Sequence, residues 1–360
     1  FTDFHSNGPM CTPTRAALLT GRYQQRLGSH FEGPLSDVTQ YDIGLPPSTL
    51  TLASALKHSG YVCGMFGKWH LGFHKPFMPT DFGFDEFRGL TSGDGDHHTH
   101  IDRSGRQDWW HNDQIEMEPG YATDLITQHS VAFLRKHRRR PFFLYVPHLA
   151  IHFPWQGPAD KGYRREGQNY QNLSKLGDLE RRDVGDHVHE MIRAVDQSVG
   201  AIVAALREHE MERTTIVFFT SDNGGYLTYS GGYHNISSNG ALRGQKTELY
   251  EGGHLVPAIA SWPGRIQPGR VTDQVAMTFD LLPTLLTLAG ADWPDDGPLL
   301  DGMDISSLLI ADQPLPPRDL FWRMGQDKAA RRGPWKLVVD ANGRSTLFDL
   351  KSDLGERHDL

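Results

Sequence analysis

The chain has 360 residues, 38% hydrophobic and 22% charged, and its 36 Lys+Arg against 44 Asp+Glu give a formal net charge of −8. That acidic excess argues against a general nucleic-acid binder, which needs a basic surplus to displace counterions from phosphates, so any anionic substrate must meet a local cluster of Lys, Arg or His. No stretch approaches the ~20 uninterrupted apolar residues of a membrane span, and two cysteines exclude a disulfide scaffold and an all-cysteine zinc site.

Phe1-Thr2-Asp3-Phe4 reads as a strand already under way, with no initiator Met, basic stretch or apolar leader, and predicts a chain cut at its N-terminus. Thr49 to Ser59 is a short helical run stopped by Gly60, and Tyr61 to Phe66 is an apolar strand. Thr91 to Asn112, rich in Gly and His, has no period and is expected to be a long loop. Asp124 to His137 carries a helical apolar face, and Pro141 to Val146 reads as a buried strand. The strongest helix runs from Gly185 to His209, with Val188, Met191, Ile192, Val195, Val199, Ile202, Val203 and Leu206 three and four residues apart. Thr214 to Thr220 is β-branched and aromatic and is expected to be a central strand; Phe279 to Leu288 is another helix. Strands separated by helices predict an α/β fold with a mainly parallel sheet covered on both faces. Pro314, Pro316 and Pro317 mark a linker. Beyond it, Asp319–Arg323, Trp335–Asp340 and Thr346–Leu350, the last two joined through Asn342-Gly343, predict a small antiparallel subdomain. The expected units are 1–313 and 314–360.

Three polar clusters follow apolar strands. Ser221-Asp222-Asn223-Gly224 offers a carboxylate beside an amide oxygen, which suits Ca²⁺ or Mg²⁺ and equally a plain Asx turn. Gly67-Lys68-Trp69-His70-Leu71-Gly72 puts a cation on a Gly-flanked loop without the spacing of a phosphate-binding P-loop, as does Gly244-Gln245-Lys246-Thr247 further on. His148 and His152 follow the strand ending at Val146. In parallel sheets such strand ends converge on one edge, where ligands gather. Cys11, opening a helix four residues before Arg15, would be a low-pKa thiol; an inert buried cysteine is the alternative, and it fits Cys63.

Cys11-Thr-Pro-Thr-Arg15 running into Leu19-Thr20-Gly21-Arg22 resembles the motif of the type I, formylglycine-dependent sulfatases, a family of the alkaline phosphatase-like superfamily. The Gly67–Gly72, Ser221–Gly224 and Gly244–Gly253 blocks, Trp262-Pro263-Gly264-Arg265 and Leu347-Phe348-Asp349-Leu350 are similar to further family blocks, in the family's order. The resemblance implies an alkaline phosphatase-like fold and removal of sulfate from a sulfated carbohydrate by a formylglycine made from Cys11. By the same resemblance Arg15 and Lys68 hold the hydrated aldehyde, His70 is the base of the elimination step, and His152 and Lys246 bind sulfate and assist the departing alcohol. Asp222 and Asn223, with the modified Cys11, hold one divalent cation, most often Ca²⁺. His98, His100 and Trp109 are expected near the sugar.

The family site also draws two adjacent aspartates from a strand ahead of the motif cysteine. The sequence begins ten residues before Cys11, and Asp3 is not placed to replace them, so it is expected to be a piece of a longer enzyme. The implied partners are a sulfated saccharide and a formylglycine-generating maturation enzyme, and the implied location is periplasmic or secreted, or lysosomal in an animal. The competing readings are a phosphomonoester or phosphonate hydrolase of the same superfamily and an inactive homologue that binds sulfated glycans. Asn172-Leu-Ser174 and Asn235-Ile-Ser237 are formal glycosylation sequons that decide nothing.

Overall fold

The strand Val62–Lys68 is buried at all seven positions and forms the interior of a five-stranded sheet. The computed structural model describes residues 1–171 and 183–360, so the sequon at Asn172 lies outside the described residues. Val62–Lys68 pairs in parallel with Glu86–Leu90 on one side and with Phe142–Tyr145 on the other. The short strands Trp110–His111 and Gln114–Ile115 extend the sheet antiparallel beyond Glu86–Leu90. Parallel neighbours send their carboxyl ends the same way. The segments after Lys68, Leu90 and Tyr145 therefore leave the sheet at one edge, and each carries chemistry-bearing side chains.

Both faces of the sheet are covered. The helix Ala122–His137 packs Phe133 against Phe66 and Phe142. The helix Gly185–Glu208 lies alongside it, linked by Thr127 Oγ1 donating to Ser198 Oγ at 2.6 Å. Its apolar stripe buries Val188, Met191, Ala194, Ala205 and Leu206, while Ile192 falls on the flank and is 48% exposed. On the opposite face, Leu52–His58, with a Thr51–Ser54 capping box, and Leu281–Ala289 share a core with Trp69, Phe82 and Phe84.

One expected feature differs. Val217–Thr220 forms, but among the described residues it pairs only with Ala258–Ser261, antiparallel, and Phe219 is 40% exposed, so it is not a central strand there. Its β-branched and aromatic composition suits any pleated, half-buried surface and does not specify how many neighbours it has.

The strand Phe4–His5 pairs in parallel with Ala276–Met277 and leads into the helix Cys11–Thr20. The C-terminal antiparallel sheet has four strands, Asp319–Met324, Asp327–Arg332, Trp335–Val339 and Ser345–Asp349. The second escapes the sequence pattern because its Asp-Lys-Ala-Ala-Arg-Arg carries no apolar alternation; it buries Ala329 and Arg331. Trp322, Ala329, Val338 and Phe348 face inward onto Ala17, Met277 and Phe279. The Asn342-Gly343 turn forms as expected, with Asp340 Oδ1 accepting from the backbone N–H groups of Asn342 and Arg344.

A fully buried ion cluster joins this sheet to the body. Lys336 Nζ lies 2.8 Å from Glu251 Oε1, 2.8 Å from Glu356 Oε1 and 3.1 Å from His254 Nε2. His254 reaches His5 at 3.0 Å, and His5 reaches Asp3 at 2.7 Å. His5, Glu251 and His254 stand close enough to one another to ligate a metal, but Glu251 and His254 already bond the Lys336 ammonium. One ammonium serves two carboxylates. Burial is opposed by Lys336 and His5 at Glu251, which stays below its ordinary range, whereas burial prevails at Glu356 and pushes it up. Removing the shared cation leaves buried carboxylates unpaired. Lys336→Met is expected to destabilise the protein by about 3–5 kcal/mol, measured by urea denaturation. A loss under about 1 kcal/mol, the range of an exposed pair, would contradict this account.

Candidate active site

Cys11 is the first residue of the helix Cys11–Thr20, where unpaired backbone N–H groups and the helix dipole favour negative charge. The alternating threonines of the motif fix this turn. Thr12 Oγ1 donates to the His70 carbonyl and accepts from Leu35 N–H, and Thr14 Oγ1 exchanges hydrogen bonds with Gly8. At the other end Gly21, at φ 65°, closes the helix by donating to the Ala17 carbonyl.

Arg15, one turn on, ties three segments together. Its Nη1 donates to the Lys68 carbonyl at 2.6 Å, while Nε and Nη2 both donate to Asp222 Oδ2 at 3.0 and 2.8 Å. Lys246 Nζ lies 3.6 Å from Cys11 Sγ. Burial by itself would raise the Cys11 pKa. The charges of Lys246 and Lys68 outweigh burial and hold the thiol well below its ordinary value. Cys63, by contrast, lies inside Val62–Lys68, where burial and Asp85 push its thiol up to about 12.

The two histidines present different nitrogens. His70 Nε2 donates to the Leu35 carbonyl at 2.9 Å, leaving Nδ1 buried without a partner and carrying the lone pair. His70 has φ 59°, a left-handed backbone that side chains seldom adopt and that active sites often hold. Gly93 makes room for its ring, since a Cβ there would stand 2.2 Å from His70 Cε1. His152 Nδ1 donates to the Phe153 carbonyl at 2.8 Å, so Nε2 is its free nitrogen. Burial and then the charges of Lys246 and Lys68 lower its pKa to about 4. His148 is half-buried, and it is not among the groups that act on the thiol.

Asp222 and Asn223 follow Val217–Thr220 directly. Arg15 takes Asp222 Oδ2, and Asn223 Oδ1 is buried without a hydrogen bond. An orphaned amide oxygen beside a carboxylate fits a hard divalent cation. Backbone contact locks this loop to the one carrying Lys246: Gly224 N–H donates to the Gly253 carbonyl, Lys246 N–H to the Gly225 carbonyl and Gly252 N–H to the Arg243 carbonyl. A Cβ on Gly224 would lie 1.9 Å from Gly252 O, so no larger residue fits there.

The structure therefore brings Cys11, Arg15, Lys68, His70, His152, Asp222, Asn223 and Lys246 together. It does not bring in the three residues expected beside a sugar. His100 and Trp109 stack on each other at 4.4 Å and are 2% and 0% exposed, and Trp109 Nε1 donates to Glu118. His98 bonds the Gly157 carbonyl and packs on Tyr121. The polar loop folds back on itself, and its aromatic side chains fill the core. What it sends toward the site is Asp94, which pairs with Arg103 and Arg164, and no local motif announced this. A surface groove of about 610 Å³ at the far end of Val62–Lys68 is unrelated to the site; its Lys57 and Lys136 are paired with Asp85 and Glu86.

The Sulfatase family model matches residues 1–291. The chain is 35% identical over 342 residues to N-acetylgalactosamine-6-sulfatase of Canis lupus familiaris, covering 90% of this chain and 61% of that one. It is 33% identical to arylsulfatase A of Bos taurus, covering 100% of this chain and 76% of that one. It thus spans about three-fifths of the former relative's length and three-quarters of the latter's. The solved structure of Ps i-CgsB in complex with k-i-k-neocarrahexaose superposes with a TM-score of 0.82 at 28% identity, covering 100% of this chain and 80% of that one.

Cys11 and Cys63 differ sharply in thiol acidity. Protein made without any maturation enzyme is expected to be labelled by a small thiol reagent at Cys11 at a pH below that at which an ordinary thiol reacts, because its charge surroundings favour the thiolate, while Cys63 stays unlabelled until unfolding. Peptide mass spectrometry reads the two sites separately; equal labelling, or preference for Cys63, would contradict the charge arrangement.

Proposed function

Because the chain belongs to the Sulfatase family, we propose that it removes sulfate from a sulfated carbohydrate. The observation that carries the proposal is the convergence of Arg15, Lys68 and Lys246 on Cys11 at a helix N-terminus, offset by one carboxylate, Asp222. Converted to formylglycine, Cys11 would supply a hydrated aldehyde whose one hydroxyl attacks sulfur and whose second permits release of sulfate. Lys246 neutralises charge gathering on the sulfate oxygens, and Lys68 with Arg15 orients the nucleophile from the strand end. His152 Nε2, its lowered proton affinity restored by the negative charge of the bound sulfate ester so that the ring is protonated, passes that proton to the departing alcohol oxygen. His70 Nδ1 faces the nucleophile with a free lone pair and takes the proton of the elimination step. Asp222 and Asn223 would hold a divalent cation, Ca²⁺ in our reading, which would add positive charge where the nucleophile must lose its proton.

A maturation enzyme acting on Cys11 and a sulfated saccharide are the partners this requires. Export to the periplasm, the exterior or a lysosome is the location we propose, and among the described residues no helix is long and apolar enough to cross a membrane. The test is hydrolysis of 4-methylumbelliferyl sulfate by the full-length matured protein beside its Cys11→Ala variant, with mass spectrometry of the Cys11 peptide. A fall of at least ~10³-fold in kcat is expected on removal of the nucleophile, together with an aldehyde in the active protein. Undiminished turnover by the variant, or a large preference for the matching aryl phosphate, would overturn the proposal.

A further inference from the structure

A closed chain of contacts runs outward from Cys11 and returns to it. Lys246 Nζ, 3.6 Å from the thiol, sits over the Tyr226 ring at 5.1 Å. Tyr226 packs edge-on against Tyr229 at 5.0 Å. The Tyr229 hydroxyl accepts from Arg103 Nη2 at 2.9 Å, and Arg103 Nε donates to Asp94 Oδ2 at 2.6 Å. Arg103 and Tyr229 both lie against the ring of Phe153, at 5.8 and 5.6 Å, and Phe153 is joined to His152, whose imidazole faces Cys11 again. The mechanism uses only two members of this rim, Lys246 and His152. The others are joined to the nucleophile's surroundings at Lys246, through Tyr226, and at His152, through Phe153.

We infer that Arg103, Asp94, Tyr226 and Tyr229 form the leaving-group subsite and that it takes a single sugar ring, a hydroxyl next to the sulfate ester being read by Arg103 as donor and Asp94 as acceptor. This deepens the sulfatase reading and rests on it. The bland alternative is a structural ion pair stapling the loop. Three features speak against it. Arg103 is 26% exposed along its side chain, whereas the cations at the nucleophile, Arg15, Lys68 and Lys246, are buried. Asp94 is already secured from behind by the fully buried Arg164, which donates to the Asp94 side chain and, at 2.9 Å, to its carbonyl, so the loop does not need Arg103 as a staple. And Arg103 is held on two sides, by a carboxylate and a phenol, which fixes the direction of its remaining N–H groups.

The chemistry selects a sugar over an aryl or alkyl group. A hydrocarbon leaving group seated here would strip water from the Arg103–Asp94 pair and return nothing. A hydroxyl both donates and accepts, so it replaces that water at each partner. The half-buried tyrosines supply apolar ring faces for the C–H surface of the sugar.

The experiment compares kcat/KM for 4-methylumbelliferyl sulfate with a panel of N-acetylgalactosamine 6-sulfate, galactose 6-sulfate, galactose 4-sulfate and glucosamine 6-sulfate, using full-length matured protein. The parent is expected to prefer at least one monosaccharide sulfate to the aryl ester. Arg103→Ala is expected to lower the sugar-to-aryl ratio of kcat/KM by at least ~30-fold, since a site built to bond a hydroxyl discriminates strongly when one partner is lost. Tyr229→Phe, which frees one side of Arg103 but leaves the guanidinium beside Asp94, should lower the ratio by ~3–10-fold, less than loss of Arg103 itself. If Arg103→Ala does not fold, Arg103→Lys decides: it keeps the charge beside Asp94 and loses the planar fork, and should lower the ratio by at least ~5-fold. Equal losses on both substrate types, or a parent that prefers the aryl ester to every monosaccharide sulfate, would overturn the inference while leaving a sulfatase. A matured parent that turns over no sulfate ester would instead remove the functional reading beneath it.

Discussion

Three cations share one small buried space, and much of the molecule answers to that fact. Arg15, Lys68 and Lys246 surround Cys11, and the carboxylate that offsets them is Asp222. Taking ammonium groups out of water costs several kcal/mol each unless anionic partners meet them. The cost shows at Lys68, where burial and then Arg15 depress the ammonium while Cys11 and Asp222 pull the other way. Lys246 resolves oppositely, since Cys11, Tyr226 and Asp222 together outweigh its burial. Such a site is unsaturated by design: it attracts negative charge because its own carboxylate does not balance it. A sulfate held there, as the proposed function requires, would complete an arrangement the fold has already assembled, which is what preorganised electrostatic stabilisation requires.

An arrangement that repels itself must be held by something else. Here the scaffold does it with backbone, which cannot swing away as a side chain can. Lys68 is fixed at the end of a strand paired on both sides, and its carbonyl is gripped by Arg15. The Asp222–Asn223 loop and the Lys246 loop touch through glycine backbones with no space for a Cβ. Behind both, the Glu251–His254 turn is anchored by Lys336 of the C-terminal sheet, and Glu251 N–H donates to Glu356 Oε2 at 2.6 Å. The small sheet is thus a backing plate: its buried ammonium braces the turn that braces the sulfate end of the site.

The parts of this that could be read in the sequence share one property, locality. Cys11-Thr-Pro-Thr-Arg15 is a helix start in which every residue acts within a few positions of the nucleophile. Gly67–Gly72 and Ser221–Gly224 each follow an apolar strand, a signal carried by adjacent residues. The helices Ala122–His137 and Gly185–Glu208 follow from their periods, and Asn342-Gly343 from its turn chemistry. What was illegible is nonlocal. Asp327–Arg332 becomes a strand because its neighbours pair with it, not because its residues alternate. The placing of Val217–Thr220 depended on how many partners it has, which composition does not state. His100 and Trp109 looked like sugar-binding groups because aromatic and polar residues were mixed in an aperiodic loop, and only three-dimensional packing shows them stacked inside it.

The same contrast separates the two halves of the site. The sulfate end is made of short contiguous blocks, each a strand end or helix start whose geometry depends on a few adjacent residues. The rim is made of Asp94 and Arg103 from one loop meeting Tyr226 and Tyr229 from another, with Arg103 and Tyr229 separated by 126 positions in the chain. None of these side chains holds Arg15, Lys68 or Cys11 in place through a direct hydrogen bond among the described residues. The rim touches the reacting centre at two points: the Tyr226 ring under Lys246, and Phe153 beside His152. A change in the outer loops can therefore alter which alcohol fits while the cationic nest keeps its geometry. Changes within the nest have no such freedom, because Arg15 is also a structural tie between segments and the loops carrying Asp222 and Lys246 are locked by backbone contact.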